Sequence, residues 1–174
     1  MQEPEVSLRI AMRYIKEGMT SEDIAVSIDR AHIKTKDVVH FELMKFMREN
    51  GYSKCDGCTH WQGIYKTSEN APRIIVSSKP GIGDVTIHLK EGKTLYIESK
   101  KFKSGSGGEY PAMREAIGQL MTGCPDDSNV IPVVAVPHSA KSEELAREWS
   151  RSRRIRNAGI RFLLVRDCGG IEFV

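Results

Sequence analysis

Gly83-Asp84-Val85-Thr86-Ile87-His88-Leu89 and, beyond a Glu91-Gly92-Lys93 turn, Thr94-Leu95-Tyr96-Ile97-Glu98-Ser99-Lys100 carry the strongest pattern in this chain. In the first arm Val85, Ile87 and Leu89 alternate with Asp84, Thr86 and His88. In the second, Leu95 and Ile97 alternate with Thr94, Tyr96, Glu98 and Lys100. Alternation with period two marks half-buried strands, so these segments read as a β-hairpin. A two-residue loop would pair Asp84 with Ser99 and set polar residues against apolar ones. A three-residue loop pairs Val85 with Ile97 and Ile87 with Leu95, and it sets Asp84 across from Glu98. The apolar pattern selects the second register. Two carboxylates and the Lys100 ammonium then converge at one end of the hairpin.

Facing carboxylates repel unless a proton or a cation lies between them. Hard oxygen ligands of this kind suit Mg²⁺, which takes one or two carboxylates together with water and substrate phosphate, and Mn²⁺ is expected to substitute. Lys100 beside such an ion can orient or help deprotonate a water and steady developing phosphate charge. This is equipment for phosphodiester hydrolysis.

Outward from the hairpin, Asp37 is placed to cap a helix over 38–50 that stops at Gly51. Residues 73–77 are β-branched and read as a strand, 111–122 as a helix opened by Pro111, 130–136 as a strand, 142–157 as a helix, 160–165 as a strand, and 171–174 as an edge strand. That order gives a mixed α/β sandwich with helices covering a sheet. The first 34 residues read as two helices, over 6–16 and 21–31, broken at Gly18 behind the caps Thr20 and Ser21. The expected division is therefore a helical extension over 1–34 and a main domain over 35–174.

Two further polar residues stand out. On the 38–50 helix, 100° steps place Val38, Val39, Leu43, Phe46 and Met47 on one arc, and Glu42 falls inside it. A carboxylate on a core-facing stripe needs a partner. On the 111–122 helix, Gln119 borders the stripe of Met113, Ala116, Ile117 and Leu120, from which it can hydrogen-bond near the carboxylates.

Gly83-Asp84-Val85-Thr86-Ile87, then Tyr96-Ile97-Glu98-Ser99-Lys100, then a helix carrying Gln119, resembles the PD-(D/E)XK nuclease superfamily, closest in look to small Holliday-junction resolvases and virus-type replication-repair nucleases. Phe41-Glu42-Leu43-Met44-Lys45-Phe46, ending at Gly51-Tyr52, is similar to the glutamate-bearing first helix of many members. The resemblance runs from about Thr35 to Val165 and departs at Gly83, where the family name has proline. It implies a restriction-endonuclease-like α-β-β-β-α-β core with a mixed central sheet flanked by helices. It also implies that Asp84, Glu98, the Ser99 carbonyl and Glu42 bind the metal, that Lys100 holds or activates the attacking water, and that Gln119 supports the site. The expected activity is a Mg²⁺-dependent endonuclease acting on DNA, structure-selective for branched substrates, in repair or recombination. Sequence-specific restriction and a non-cleaving nucleic-acid-binding module on the same fold stay open as alternatives.

Charge and composition are consistent with this without demanding it. The 174 residues carry 26 Lys and Arg against 23 Asp and Glu, a formal net charge of +3. Lys101 and Lys103, Arg73 with Ser77, and a face of Arg147, Arg151 and Arg154 at helical spacing are the candidate DNA contacts. Cutting two strands favours a homodimer. No apolar run approaches the roughly 20 residues that span a bilayer, and Lys16 and Glu17 interrupt the apolar N-terminus, so a cytoplasmic protein with no membrane partner is expected. Cys55-Asp56-Gly57-Cys58 with His60 has the look of a zinc knuckle, but a structural zinc wants four ligands. A plain turn or a redox-sensitive pair is the preferred reading there.

Overall fold

The computed structural model describes residues 1–55, 59–79, 83–102 and 107–174. Among the described residues, nine strands form one mixed sheet in the order β11-β10-β9-β8-β7-β1-β6-β5-β4, and helices cover both faces. No described helix is long and apolar enough to cross a membrane.

The hairpin forms as its pattern requires. β7 (Val85–His88) and β8 (Thr94–Ser99) are antiparallel, with Val85 paired to Ile97 and Ile87 to Leu95. The turn closes with the Leu89 N–H on the Lys93 carbonyl, one residue earlier than the expected loop. β8 runs parallel to β9 (Val130–Pro137), and β9 runs parallel to β10 (Arg161–Val165). The crossover from β8 to β9 is α4 (Glu109–Gly123), and that from β9 to β10 holds α5 (Ala140–Ser150) and α6 (Arg153–Asn157). β11 (Ile171–Phe173) closes that edge.

Alternation divides each central strand between two cores. Val85, Ile87, Leu95, Ile97, Val133 and Ala135 pack on one face. Tyr96, Val134, Val136, Phe162 and Leu164 pack on the other, against Met113, Ala116 and Leu120 of α4 and Leu145 and Ala146 of α5.

The first face is covered by α1 (Glu3–Lys16), and here the chain departs from the expected division. Val6, Leu8, Ile10 and Ala11 are wholly buried in the same cluster as the hairpin. The expected helix over 21–31 is instead β1 (Ile24–Ser27) followed by the short α2 (Arg30–Ile33). β1 lies inside the sheet, antiparallel to β7 and parallel to β6 (Ile74–Ser77). The physical reason is plain in retrospect: Ile24, Val26 and Ile28 alternate with smaller residues, and Thr20 uses its hydroxyl to accept the Glu22 N–H in a tight turn instead of capping a helix. The first 34 residues are therefore built into the main core, not attached to it.

Two other helices are shorter than expected. Val38 and Val39 form β3, which pairs with β2 (Lys34–Thr35) across a Lys36-Asp37 turn where Lys36 has a φ of 53°. Asp37 sits in that turn, so α3 (Leu43–Glu49) begins only after Glu42. The expected helix over 142–157 breaks at Arg151, the C-cap of α5, and restarts after Ser152. Residues 53–54 and 63–66 add β4 and β5 at the far edge, with no counterpart in the expected layout.

Candidate active site

The acidic end of the hairpin is where the sheet, α1, α2 and α4 meet. Val85 pairs with Ile97, and Asp84 before it turns its N–H to that same Ile97 carbonyl, so the expected pairing of Asp84 with Glu98 is not formed; the two residues nonetheless line one cleft of about 630 Å³. Asp84 is anchored at every backbone and side-chain point that matters for aim. Its N–H donates to the Ile97 carbonyl and its carbonyl accepts the Ser27 N–H. Its Oδ2 accepts the Ser99 N–H at 2.7 Å. Gly83 before it has a φ of +70°, and a Cβ there would lie 3.0 Å from the Tyr96 ring. Proline, with φ near −65°, cannot occupy that backbone conformation, which accounts for the departure at this position.

Lys100 follows β8 and is buried between two helices from opposite sides of the sheet. Its ammonium stands 3.8 Å from Glu3 of α1 and 3.5 Å from Glu115 of α4. Gln119, one turn on from Glu115, lines both the Asp84–Glu98 cleft and an adjoining one of about 420 Å³ that also contains Lys100 and Lys101.

The charges are strongly coupled. Burial, then the Glu98 carboxylate, push the Asp84 carboxyl up to about 7. Burial also raises Glu98, against the pull of Lys100. For Lys100, burial by itself would lower the ammonium, but Glu3, Asp84, Glu115 and Glu98 outweigh it and the net direction is upward. Lys100 is thus held as a cation, a group that orients and stabilises charge, in contrast to a base that takes a proton from water.

Glu42 does not belong here. It is the N-cap of α3, exposed, with its carboxylate 3.6 Å from Lys45. The helix-borne glutamate of the site is Glu3, whose side chain is only 13% exposed and lies 3.3 Å from His32 Nδ1. Asp29 and His32 of the α2 turn also line the clefts. None of these was legible as a site residue, since each lies more than 50 residues from Asp84 and only the sheet order brings them together.

Among the expected DNA contacts, Lys101 lies at the cleft, its Nζ donating to Gln2 at 3.0 Å. Lys103 lies outside the described residues. Ser77 ends β6 on the site side, and Ser78 lines the larger cleft. Arg73 does not reach it: it precedes β6 at the opposite end and is held by Asp23 through its Nε and NH2 at 2.9 and 2.6 Å. Arg147 donates twice to Glu143; Arg151 caps the end of α5, and Arg154 lies on the separate α6, so the expected helical face does not run on to it. Of the zinc knuckle, Cys58 lies outside the described residues and Cys55 is an exposed thiol on the β4 edge.

Among the described residues no group of three or more His, Cys, Asp or Glu side chains is arranged to hold a metal by itself. The donor set is the Asp84–Glu98 pair, two hard oxygen groups whose carboxyls are both pushed upward chiefly by burial. That set fits Mg²⁺, which fills its other positions with water and substrate oxygen.

Compared with protein-family models, with curated proteins and with solved structures, the chain matches none.

Proposed function

We propose that this chain is a divalent-metal-dependent endonuclease that hydrolyses DNA phosphodiester bonds, with a preference for branched strands. The observation that carries it is the cleft shared by Asp84 and Glu98, with Lys100 beside Asp84 in the adjoining one. The restriction-endonuclease-like core belongs to the same proposal. It is supported by α1, β1, β7, β8, α4 and β9, which follow in that order along the chain and whose strands are neighbours in the sheet as β9-β8-β7-β1. In this reading residues 28–84 contain an insertion, and Glu3 takes the place expected for Glu42.

Asp84, Glu98 and the Ser99 carbonyl are the residues to hold Mg²⁺, with Glu3 alongside. When bound, the ion supplies Lewis-acid polarisation of the phosphate and a more acidic water. The chain's own groups do the rest. Lys100, kept charged by its acidic neighbours, donates hydrogen bonds to the attacking water and to a phosphate oxygen. Glu3 and Glu115 hold that ammonium from both sides, and Gln119 donates to the strand lying in the cleft. Support for a branched substrate comes from the β2–β3 hairpin. It follows α2 directly, and its strand β3 exposes Val38 and Val39 (58% and 53%) next to Lys34, Lys36 and His40. Exposed apolar side chains flanked by cations suit unstacked bases beside phosphates.

The test is incubation of the protein with Mg²⁺ or Mn²⁺ and plasmid, linear duplex, single-stranded and four-way-junction DNA. Metal-dependent cutting, strongest on the junction and abolished by Asp84→Ala, is expected. No cutting of any substrate with either ion overturns the proposal.

A further inference from the structure

On the half of α1 remote from Glu3, Arg9, Arg13 and Lys16 follow one another on one helical stripe and line a cavity of about 370 Å³. Ligand pockets commonly fall between about 300 and 1,000 Å³. Its other walls include Asn50, Tyr52, Thr67 and the Cys168-Gly169 turn, and among the described residues no Asp or Glu lines it.

The cations are positioned but not used up. Arg9 is held by Glu5 through its Nε and NH2 and by the Phe46 ring 5.4 Å away. Its NH1 edge faces Gly169, where a Cβ would stand 3.5 Å from it. Arg13 pairs with Glu17 through NH2, while its Nε is buried and makes no hydrogen bond. Lys16 is exposed at the mouth. Glu5 and Glu17 offset two of these three charges from outside the cavity, so the lining suits a small anion and not a polyanionic strand. Met12, Ile15 and the buried Tyr52 supply apolar wall. The Asn50 amide N–H₂ is committed to the Phe46 carbonyl, which leaves its oxygen as an acceptor.

We propose that this cavity binds a phosphomonoester of nucleoside monophosphate size, its phosphate on Arg13 and Lys16 and its body against Met12, Ile15 and Tyr52. The site is separate from the acidic clefts and does not depend on their chemistry. A free mononucleotide and the phosphorylated end of a short strand present the same group.

Isothermal titration of the whole chain in EDTA, with AMP, adenosine, inorganic phosphate, and a dinucleotide with and without its 5′-phosphate, tests this. AMP is expected to saturate one site, inorganic phosphate to bind more weakly, and adenosine to give no saturation. Tighter binding of the phosphorylated dinucleotide than of AMP supports the same site and assigns the strand end as its ligand. Arg13→Gln and Lys16→Gln should each weaken AMP about tenfold or more, and Arg156→Gln, outside the cavity, should not. Lys16 is exposed, so Lys16→Gln keeps the test valid if Arg13→Gln does not fold. Absence of saturable AMP and phosphate binding, equal binding of AMP and adenosine, or unchanged affinity in Lys16→Gln overturns the proposal.

Discussion

The Glu3 carboxylate lies 3.8 Å from the Lys100 ammonium, so the first turn of α1 shares one charged cluster with the end of β8. Glu115 of α4 approaches the same ammonium from the other side of the sheet, at 3.5 Å. Lys100 therefore ties together the helices of both layers beside the cleft that Asp84 and Glu98 share. A lysine this buried stays charged because four carboxylates surround it, and it in turn offsets part of their repulsion.

If this cluster is catalytic, Asp84→Ala, Glu98→Ala and Lys100→Ala each lower cleavage by at least about a hundredfold while the fold persists. Initial rates on junction DNA, with circular dichroism as the folding control, check this. Full activity in any one variant removes that residue from the mechanism.

The assignment of the helix glutamate separates two residues sharply. Glu3→Gln should cost about 10–100-fold in cleavage, the usual scale for a group that orients a metal-site residue. Glu42→Gln, at an exposed cap paired with Lys45, should change the rate less than about twofold. Side-by-side kinetics of the two variants decide the matter.

Asp84 makes stability depend on pH in the metal-free protein. Its folded pKa of about 7 lies above its ordinary 3.8. The contribution to stability is thus complete below the unfolded value and is lost as pH rises through the folded one. Melting temperature should fall across that window. Asp84→Asn, which cannot ionise, should flatten the slope and melt higher than wild type above about pH 8, by about 2–4 °C for each kcal/mol recovered. Mg²⁺, which favours the ionised pair, should raise the wild-type melting temperature in the same range and leave the variant nearly unmoved.

Gly83 is constrained twice, by its φ of +70° and by the Tyr96 ring 3.0 Å from any Cβ. Gly83→Ala should destabilise by about 1–3 kcal/mol, and Gly83→Pro by more, because its φ is incompatible. Urea denaturation measures both.

A chain beginning at residue 35 should not fold. It lacks Val6, Leu8, Ile10, Tyr14, Ile24 and Val26, each 2% exposed or less. At about 1.5–3 kcal/mol per large buried side chain, the loss exceeds most of a typical stability of about 5–15 kcal/mol. Cooperative thermal melting of the truncated chain would show instead that 35–174 is self-sufficient.

The sequence by itself determined the hairpin and the register that pairs Val85 with Ile97, because side-chain alternation is local and a one-residue slip would bury the polar set. It also determined α4, the parallel strand after it and the final edge strand, whose patterns and caps lie within each segment. What tertiary structure alone decided is which distant elements meet that hairpin. β1 looks like helix in the sequence because Thr20 and Ser21 resemble caps, and its own alternation spans only a few residues. Its insertion between β6 and β7 draws α1 across the sheet and delivers Glu3 to Lys100, while a two-residue turn at Lys36-Asp37 carries Glu42 out to solvent. Local periodicity says which face of a segment is buried, but which partner buries it depends on strand order, and strand order is a property of the whole chain.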